Sequence, residues 1–192
     1  MRNITLKTGI ILFVVASFCG CDKVKEIANM FNCTFERKNI DNFRIAKVNF
    51  DHLTSPSDLT IADGINITQA ILTKTIPVTF NMNIEGKNPT KSLAAIEQFR
   101  WKFLLDGNEI LEGNVVDKFS IPAEGTSILP LEISFDAMNY LDGSGTVESI
   151  FKFYQNITGK NASGESNATL KIKPTINGME FPNYITVNQT VN

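Results

Sequence analysis

The sequence predicts a mainly β protein, an antiparallel β-sandwich with a short N-terminal helix and one helical interruption. Apolar and polar residues alternate with a period of two in four separate runs, and turn-forming pairs lie between those runs. A sheet with one buried and one wet face requires such alternation. The length of 192 residues corresponds to one domain.

The first predicted element is a helix over residues 22–32. Val24, Ile27, Ala28 and Phe31 are spaced as on one face of a helix. This segment would also be the tether between any N-terminal anchor and the domain, and its eleven residues reach at most about 37 Å when extended.

The four alternating runs predict strands. Their apolar positions are Val78, Phe80, Met82 and Ile84; Phe99, Trp101, Phe103 and Leu105; Leu129, Leu131, Ile133 and Phe135; and Ala168, Leu170 and Ile172. Residues 43–50 are also strand-like, but their apolar phase slips between Ile45 and Val48, which predicts a bulge or a break.

Turn signals separate these strands. Asp106-Gly107 and Asn177-Gly178 are typical of tight hairpins, Asn88-Pro89 ends a strand, and residues 122–125 (PAEG) form a corner. A helical interruption is predicted near 137–157, because Val147, Ile150, Phe151 and Tyr154 follow the 3.6-residue period.

The N-terminus is typical of an export signal. Arg2 and Lys7 precede an uncharged apolar stretch at residues 8–18, which is too short for the ~20 residues that span a bilayer. Residues 18–21 (FCGC) resemble the lipobox of bacterial lipoproteins, although Phe18 stands where Leu is usual. The resemblance implies a signal peptide over residues 1–20 and lipidation of Cys21. Ordinary cleavage with secretion and an uncleaved anchor stay open as alternatives.

That assignment determines the state of each of the three cysteines. Cys19 would be removed and Cys21 lipidated, which leaves Cys33 without a disulfide partner. We expect Cys33 to be a small buried hydrophobe at a strand start. If Cys21 were not acylated, a Cys21–Cys33 bridge would become available.

A succession of short motifs resembles the LEA type 2 family, also called the WHy domain, and in particular its lipoprotein members from Bacteroidota. The motifs are residues 84–89 (IEGKNP), 101–107 (WKFLLDG), 121–125 (IPAEG) and 129–133 (LPLEI). The resemblance implies an immunoglobulin-like or fibronectin-III-like sandwich of about seven strands over residues 33–192, with the helical segment as an insertion. It implies no catalytic residues and, by analogy with plant members, a role in stress.

Several kinds of chemistry are disfavoured. The net charge of −2 gives no reason to expect nucleic acid. His52 is the sole histidine, which excludes a multi-histidine metal site and the usual base for a nucleophile. The acidic residues Glu109, Glu112 and Asp117 are expected to be solvated surface charges rather than a pair of catalytic carboxylates. A calcium site at Asp51, Asp58 and Asp63 is conceivable, but their spacing lacks the pattern of a calcium loop.

Surface features leave the ligand unknown. Trp101 shares a face with Phe99 and Phe103 and is expected in the core, whereas Tyr140, Tyr154 and Tyr184 are unconstrained. The seven N-x-S/T triplets are attributed to a composition rich in Asn and Thr. They start at Asn3, Asn32, Asn66, Asn156, Asn161, Asn167 and Asn188.

The sequence therefore predicts a non-enzymatic envelope lipoprotein without metal or cofactor. It would be anchored to a bacterial membrane, with the outer membrane preferred, and face the periplasm or the cell surface. Its domain would be a structural or interaction module with a protein or glycan partner. The alternative is a glycan- or small-molecule-binding lipoprotein of an uptake system, and an enzyme is the third hypothesis.

Overall fold

The computed structural model describes residues 25–141, 146–161, 167–176, 179–180 and 182–189. Within these ranges the helices are α1 (residues 25–30), α2 (Ile61–Leu72) and α3 (Val147–Thr158), with 3₁₀ turns at Pro56–Asp58 and Met138–Tyr140. The strands are β1 (Thr34–Ile45), β2 (Val48–Asn49), β3 (Pro77–Lys87), β4 (Ala94–Ile96), β5 (Gln98–Leu105), β6 (Asn108–Val115), β7 (Phe119–Ile121), β8 (Thr126–Asp136), β9 (Ala168–Ile176), β10 (Met179–Glu180) and β11 (Ile185–Gln189).

Seven of these strands form one hydrogen-bonded path in the order β6-β5-β9-β11-β1-β3-β8. Neighbours along it are antiparallel except β1 and β11, which run parallel. The path has two halves, β1-β3-β8 and β9-β5-β6, and β11 joins them. Phe80 of β3 and Phe103 of β5 meet with ring centroids 5.7 Å apart, so the halves pack against each other. The predicted mainly β, sandwich-like fold is confirmed.

The apolar positions of the period-two alternation are the buried ones in the structure. In β3 the side chains of Val78, Phe80, Met82 and Ile84 are at most 1% exposed, and the residues between them are partly exposed. The Asp106-Gly107 hairpin is also confirmed: both residues have positive φ, 50° and 79°, and Leu105 pairs with Asn108 across the turn. Asn177-Gly178 lies outside the described residues.

The phase slip between Ile45 and Val48 is a hairpin turn. Ala46 and Lys47 have φ values of 50° and 73°, and Ile45 pairs with Val48. Because a two-residue loop makes its flanking residues partners, both point to the core although they are three positions apart. The irregular register of β1 lies earlier, between Arg37 and Asn39 and between Asp41 and Arg44.

Helix α2 was not predicted from the sequence. It begins with a capping box, in which Thr60 Oγ1 accepts from the Asp63 backbone N–H at 3.2 Å and the Asp63 carboxylate accepts from the Thr60 N–H at 3.0 Å. Ile67 and Ala70 face the core. Other aliphatic residues of α2 face outward, so the helix lacks the clear polar face by which an amphipathic helix is recognised.

The predicted helical interruption is present as the turn Met138–Tyr140 and helix α3. Thr146 and Ser149 form the N-terminal capping box of α3, and Gly159 with φ of 79° ends it. The helix contributes aromatic rings to the core, with the Tyr154 ring 5.0 Å from Phe43 and the Phe151 ring 5.1 Å from Phe50.

Arg37 connects β1 to the end of α3. Its side chain is 8% exposed, and a guanidinium nitrogen donates to the carbonyl oxygen of Ile157 at 3.2 Å. Burial lowers the pKa of Arg37, but an arginine remains charged in a protein. If α3 moved away, the buried guanidinium would lose this acceptor and its charge would be uncompensated. The hydrogen bond therefore fixes the end of α3 against β1.

Replacing Gly113 by alanine tests the packing of Trp101. A Cβ at Gly113 would lie 2.4 Å from Trp101 Cζ2, and this indole is held with 8% exposure. We expect Gly113→Ala to lower the free energy of unfolding by about 1–3 kcal/mol in urea titrations, since overpacking displaces a buried ring.

Gly64→Ala is the matched control. A Cβ there meets nothing within 4 Å, and alanine is the better helix former. It should raise the free energy of unfolding by about 0.5–1 kcal/mol. Equal effects of the two substitutions would contradict the packing of Trp101 against Gly113.

Candidate functional site

The predicted lipidation site, Cys21, lies outside the described residues. Cys33 is buried as expected, and its thiol donates to the Asn29 carbonyl oxygen at 3.3 Å. Burial raises the pKa of Cys33, so the thiol stays protonated at neutral pH and is a poor nucleophile. Cys33 is therefore a packing residue rather than a reactive one.

The aspartates considered for calcium hold backbone N–H groups instead. Asp51 accepts from Phe43 at 2.9 Å, Asp58 accepts from Thr54 at 2.8 Å, and Asp63 caps α2. The hydrogen bond from the Thr54 backbone is the main cause of the lowered pKa of Asp58. In the described part of the chain, no group of three or more His, Cys, Asp or Glu side chains could hold a metal ion.

A charged ladder covers the outer face of β5, β6 and β9. Lys102 lies directly opposite Lys171, and Arg100 lies opposite Lys173. Like charges in such positions repel, and carboxylates at the rim offset this repulsion. The ion pairs are Lys102–Glu109 at 2.6 Å, Arg100–Glu112 at 3.0 Å, Arg100–Glu180 at 2.7 Å and Lys173–Glu180 at 3.0 Å.

Tyr184 completes the charged ladder. The ammonium groups of Lys102 and Lys173 lie 5.7 and 5.3 Å from the centre of its ring. Hydrogen bonds from Arg100 and then Lys173 lower the pKa of Glu180. Because these pairs are solvent-exposed and mutually neutralising, each contributes little to stability. The expectation that Glu109 and Glu112 are solvated surface charges agrees with this arrangement.

A small pocket lies where α3 meets the ends of β5 and β9. Its volume is about 190 Å³, below the ~300 Å³ of ordinary small-molecule sites. The exposed Tyr140 lines it together with Lys152, Asp106 and Asn167. Asn167 donates from Nδ2 to Asp106 at 2.9 Å, and no donor among the described residues reaches its buried Oδ1. Of the other aromatic residues considered for binding, Tyr154 and Trp101 are buried in the core.

The outward face of α2 is apolar. Ile61, Ile65 and Leu72 are 87%, 63% and 77% exposed, although they are large aliphatic side chains. With Gly64, Thr68 and the neighbouring Val147 they line an open groove of about 490 Å³. We call the residues Ile61, Ile65, Thr68 and Leu72 the α2 stripe.

The α2 stripe and the chain's N-terminal side lie at opposite ends of the domain. Helix α1 precedes the start of β1 and is fixed there by Met30, which is fully buried, and by a hydrogen bond from Asn29 to the Leu93 carbonyl oxygen. Helix α2 packs on the turn after β1, at Ala46 and Lys47. The twelve residues of β1 separate the two ends by roughly 35 Å.

Asn88 is a buried polar residue, and its role is structural. It is 3% exposed, and its amide nitrogen donates to the carbonyl oxygens of Ser92, Ile121 and Pro122 at 2.9–3.1 Å. Its side-chain oxygen accepts from Thr90, and its backbone N–H donates to Gly125. The predicted strand end and the predicted corner are thus one hydrogen-bonded unit.

Comparisons with known proteins do not assign a family. No protein-family model matches the sequence, and no curated protein matches it. Among solved structures, the crystal structure of a protein from Archaeoglobus fulgidus is 12% identical in sequence. The match covers 57% of this chain and 80% of the Archaeoglobus chain, with a TM-score of 0.32. The solution structure of a protein described as late embryogenesis abundant (LEA) is also 12% identical in sequence. The match covers 98% of this chain and 90% of the LEA chain, with a TM-score of 0.35.

Similarities at that level carry no argument about this chain. The assignment to the LEA type 2 family therefore stays a prediction from the motifs. Within the described ranges, no helix has the length and apolar character needed to cross a membrane.

Substituting Asn88 tests the hydrogen-bonded corner. We expect Asn88→Ala to lower the free energy of unfolding by about 2–3 kcal/mol, because it leaves buried carbonyl and amide groups without a partner. Asn114→Ala is the control, since Asn114 is exposed on β6, and it should stay within about 0.5 kcal/mol of wild type.

Asn88→Asp sharpens the test through pH. Its carboxylate would face three carbonyl oxygens in a buried site, which raises the pKa of the introduced acid in the folded state. A group with a raised folded pKa favours folding only when protonated, so the loss of stability should be large at pH 7 and shrink as pH falls through that pKa. Urea titrations of Asn88→Asp at pH 4 and 7 with identical losses would contradict this geometry.

Proposed function

We propose that this protein is a non-catalytic, lipid-anchored lipoprotein of the bacterial cell envelope. Its sandwich would act as a structural or interaction module, fixed to the membrane through Cys21. We prefer the outer membrane, with the domain facing the periplasm or the cell surface.

The attachment of α1 to the domain carries this proposal. Residue 25 is already helical, Met30 is in the core, and Glu26 pairs with Lys118 at 3.2 Å. Only residues 22–24 separate Cys21 from that helix, so the lipid would lie within about 15 Å of the folded domain. An anchor at Cys21 would thus hold the α1 end of the sandwich close to the bilayer. Such close attachment suits a module that works at the membrane surface.

The disposition of the acidic residues supports a role without catalysis. General acid–base chemistry needs carboxyl groups with pKa values matched to the reaction, and these are commonly raised by burial. The pKa values of Asp58, Glu85 and Glu180 are all lowered, because hydrogen-bond donors stabilise their charged forms. These carboxylates are suited to bind backbone N–H groups and the side chains of Lys and Arg. By analogy with the LEA type 2 family, we extend the proposal to protection under stress.

A second candidate function is binding of a glycan or another small molecule in an uptake system. The pocket beside α3 favours it, because exposed Tyr140 offers an aromatic face next to the polar groups of Lys152, Asp106 and Asn167. A glycan array probed with the full-length protein should then give signals that Tyr140→Ala abolishes and Tyr184→Ala leaves intact. Absence of any signal from the wild-type protein would reject glycan binding.

Metabolic labelling with radioactive palmitate tests the anchor. The wild-type chain should be labelled and should fractionate with membranes, whereas Cys21→Ser should lose the label, because a serine hydroxyl does not accept the thioether-linked lipid. Cys33→Ser is the matched control and should retain full labelling, since Cys33 is buried in the domain. Equal labelling of wild type and Cys21→Ser would refute lipidation at this residue.

A further inference from the structure

The pocket beside α3 has two walls of opposite polarity. One wall belongs to α3, where Lys152 and Asn156 are four positions apart and are therefore neighbours on the same face of the helix. The other wall is formed by Asp106, in the turn between β5 and β6, and by Asn167, immediately before β9. The first wall offers hydrogen-bond donors and the second offers acceptors.

The donor wall is suited to a carboxylate. Among the described residues, the exposed Lys152 has neither an ion-pair nor a hydrogen-bond partner. Asn156 accepts at Oδ1 from Asn161 Nδ2 at 3.2 Å, so its own Nδ2 is left to donate. An ammonium group and an amide N–H one helical turn apart can each donate to one oxygen of a carboxylate.

The acceptor wall is suited to an ammonium group. An ionised carboxylate only accepts hydrogen bonds, so Asn167 turns its Nδ2 toward Asp106, at 2.9 Å. No donor among the described residues reaches the buried Oδ1 of the same amide, and such an unsatisfied acceptor costs free energy. The exposed carboxylate of Asp106 can accept further hydrogen bonds. A ligand group with several N–H donors and a positive charge matches this wall.

The two charges of the pocket do not neutralise each other. Lys152 and Asp106 line the same small space, but they form no ion pair. The volume of about 190 Å³ corresponds to about six water molecules at ~30 Å³ each. The buried side chains of Leu105 and Phe153 add apolar surface, and Tyr140 adds a partly exposed ring. A matching ligand is small, carries both charges close together and has an apolar part.

We propose that the pocket beside α3 binds a free α-amino acid with a side chain of only a few atoms. Its carboxylate accepts from Lys152 and Asn156. Its ammonium group donates to Asp106 and Asn167. A neutral sugar would leave both charges of the pocket without a counter-ion, so a zwitterion is the better match. This inference rests on the second candidate function, which it narrows to one class of small molecule, and it does not depend on the lipid anchor.

Saturation-transfer NMR of the purified full-length protein tests the ligand class. The probe is an equimolar mixture of the free protein amino acids, and we expect signals from members with small side chains. The amide and the N-acetyl derivative of the bound amino acid should each have a Kd about tenfold or more higher, because each lacks one of the two charges.

Substitutions that remove one charge assign the two walls. Lys152→Gln and Asp106→Asn should each raise the Kd by about tenfold or more. Asparagine tolerates the positive φ of residue 106, so the turn is kept. Lys152→Gln should also lose most of the preference for the amino acid over its amide, whereas Asp106→Asn should keep it. Lys91→Gln and Asp117→Asn, which remove the same charges from exposed positions outside the pocket, are the matched controls and should leave the Kd unchanged.

Three results would overturn the inference. They are no signal from any amino acid with a folded wild-type chain, equal binding of the amino acid and its amide, and binding that neither Lys152→Gln nor Asp106→Asn weakens. A parallel mixture of neutral sugars and uronic acids separates this inference from the glycan candidate, since signals from sugars alone would reject the amino acid and support the glycan. Unchanged thermal unfolding of the variants confirms that their fold is intact.

Discussion

The fold depends on aromatic packing between the two halves of the strand path. Phe43 and Phe80 stack with parallel rings 4.9 Å apart within one half, and Phe80 then contacts Phe103 of the other half edge-on. Each such pair contributes about 0.5–1.5 kcal/mol beyond the area it buries. Helix α3 extends the cluster through Tyr154, so the helical interruption is a part of the core rather than an appendage. The cluster therefore joins both halves of the strand path and α3 in one core.

How far the fold was predictable depended on whether each feature has a local signature. Strand β3 was predictable because one of its faces is wet, which forces polar residues between Val78, Phe80 and Met82. The Asp106-Gly107 hairpin was predictable because few residues tolerate two successive positive φ angles. Helix α2 was missed because its aliphatic residues face both the core and the solvent, although the capping box at Thr60 and Asp63 was a usable signal.

Features that depend on distant residues could not be predicted. Asn88 was recognised as a strand end, but its bonds to Ile121 and Pro122 span more than thirty residues of sequence. The aspartates weighed as calcium ligands bind backbone N–H groups, and no side-chain pattern records where those groups point. The buried Arg37 was missed for the same reason, since its acceptor is the backbone of Ile157. A candidate binding surface built from shape, such as the α2 stripe, becomes recognisable only once the helix is placed.

The position of β11 has a consequence for the order in which the domain can be completed. Residues 185–189 are the last described strand, and they pair with β9 on one side and with β1 on the other. Until the ribosome has made this segment, the backbone N–H and C=O groups along the facing edges of β1 and β9 have no partner. The nascent chain can therefore form its local hairpins early, but β11 can join the two halves of the strand path only after residues 185–189 have been synthesised.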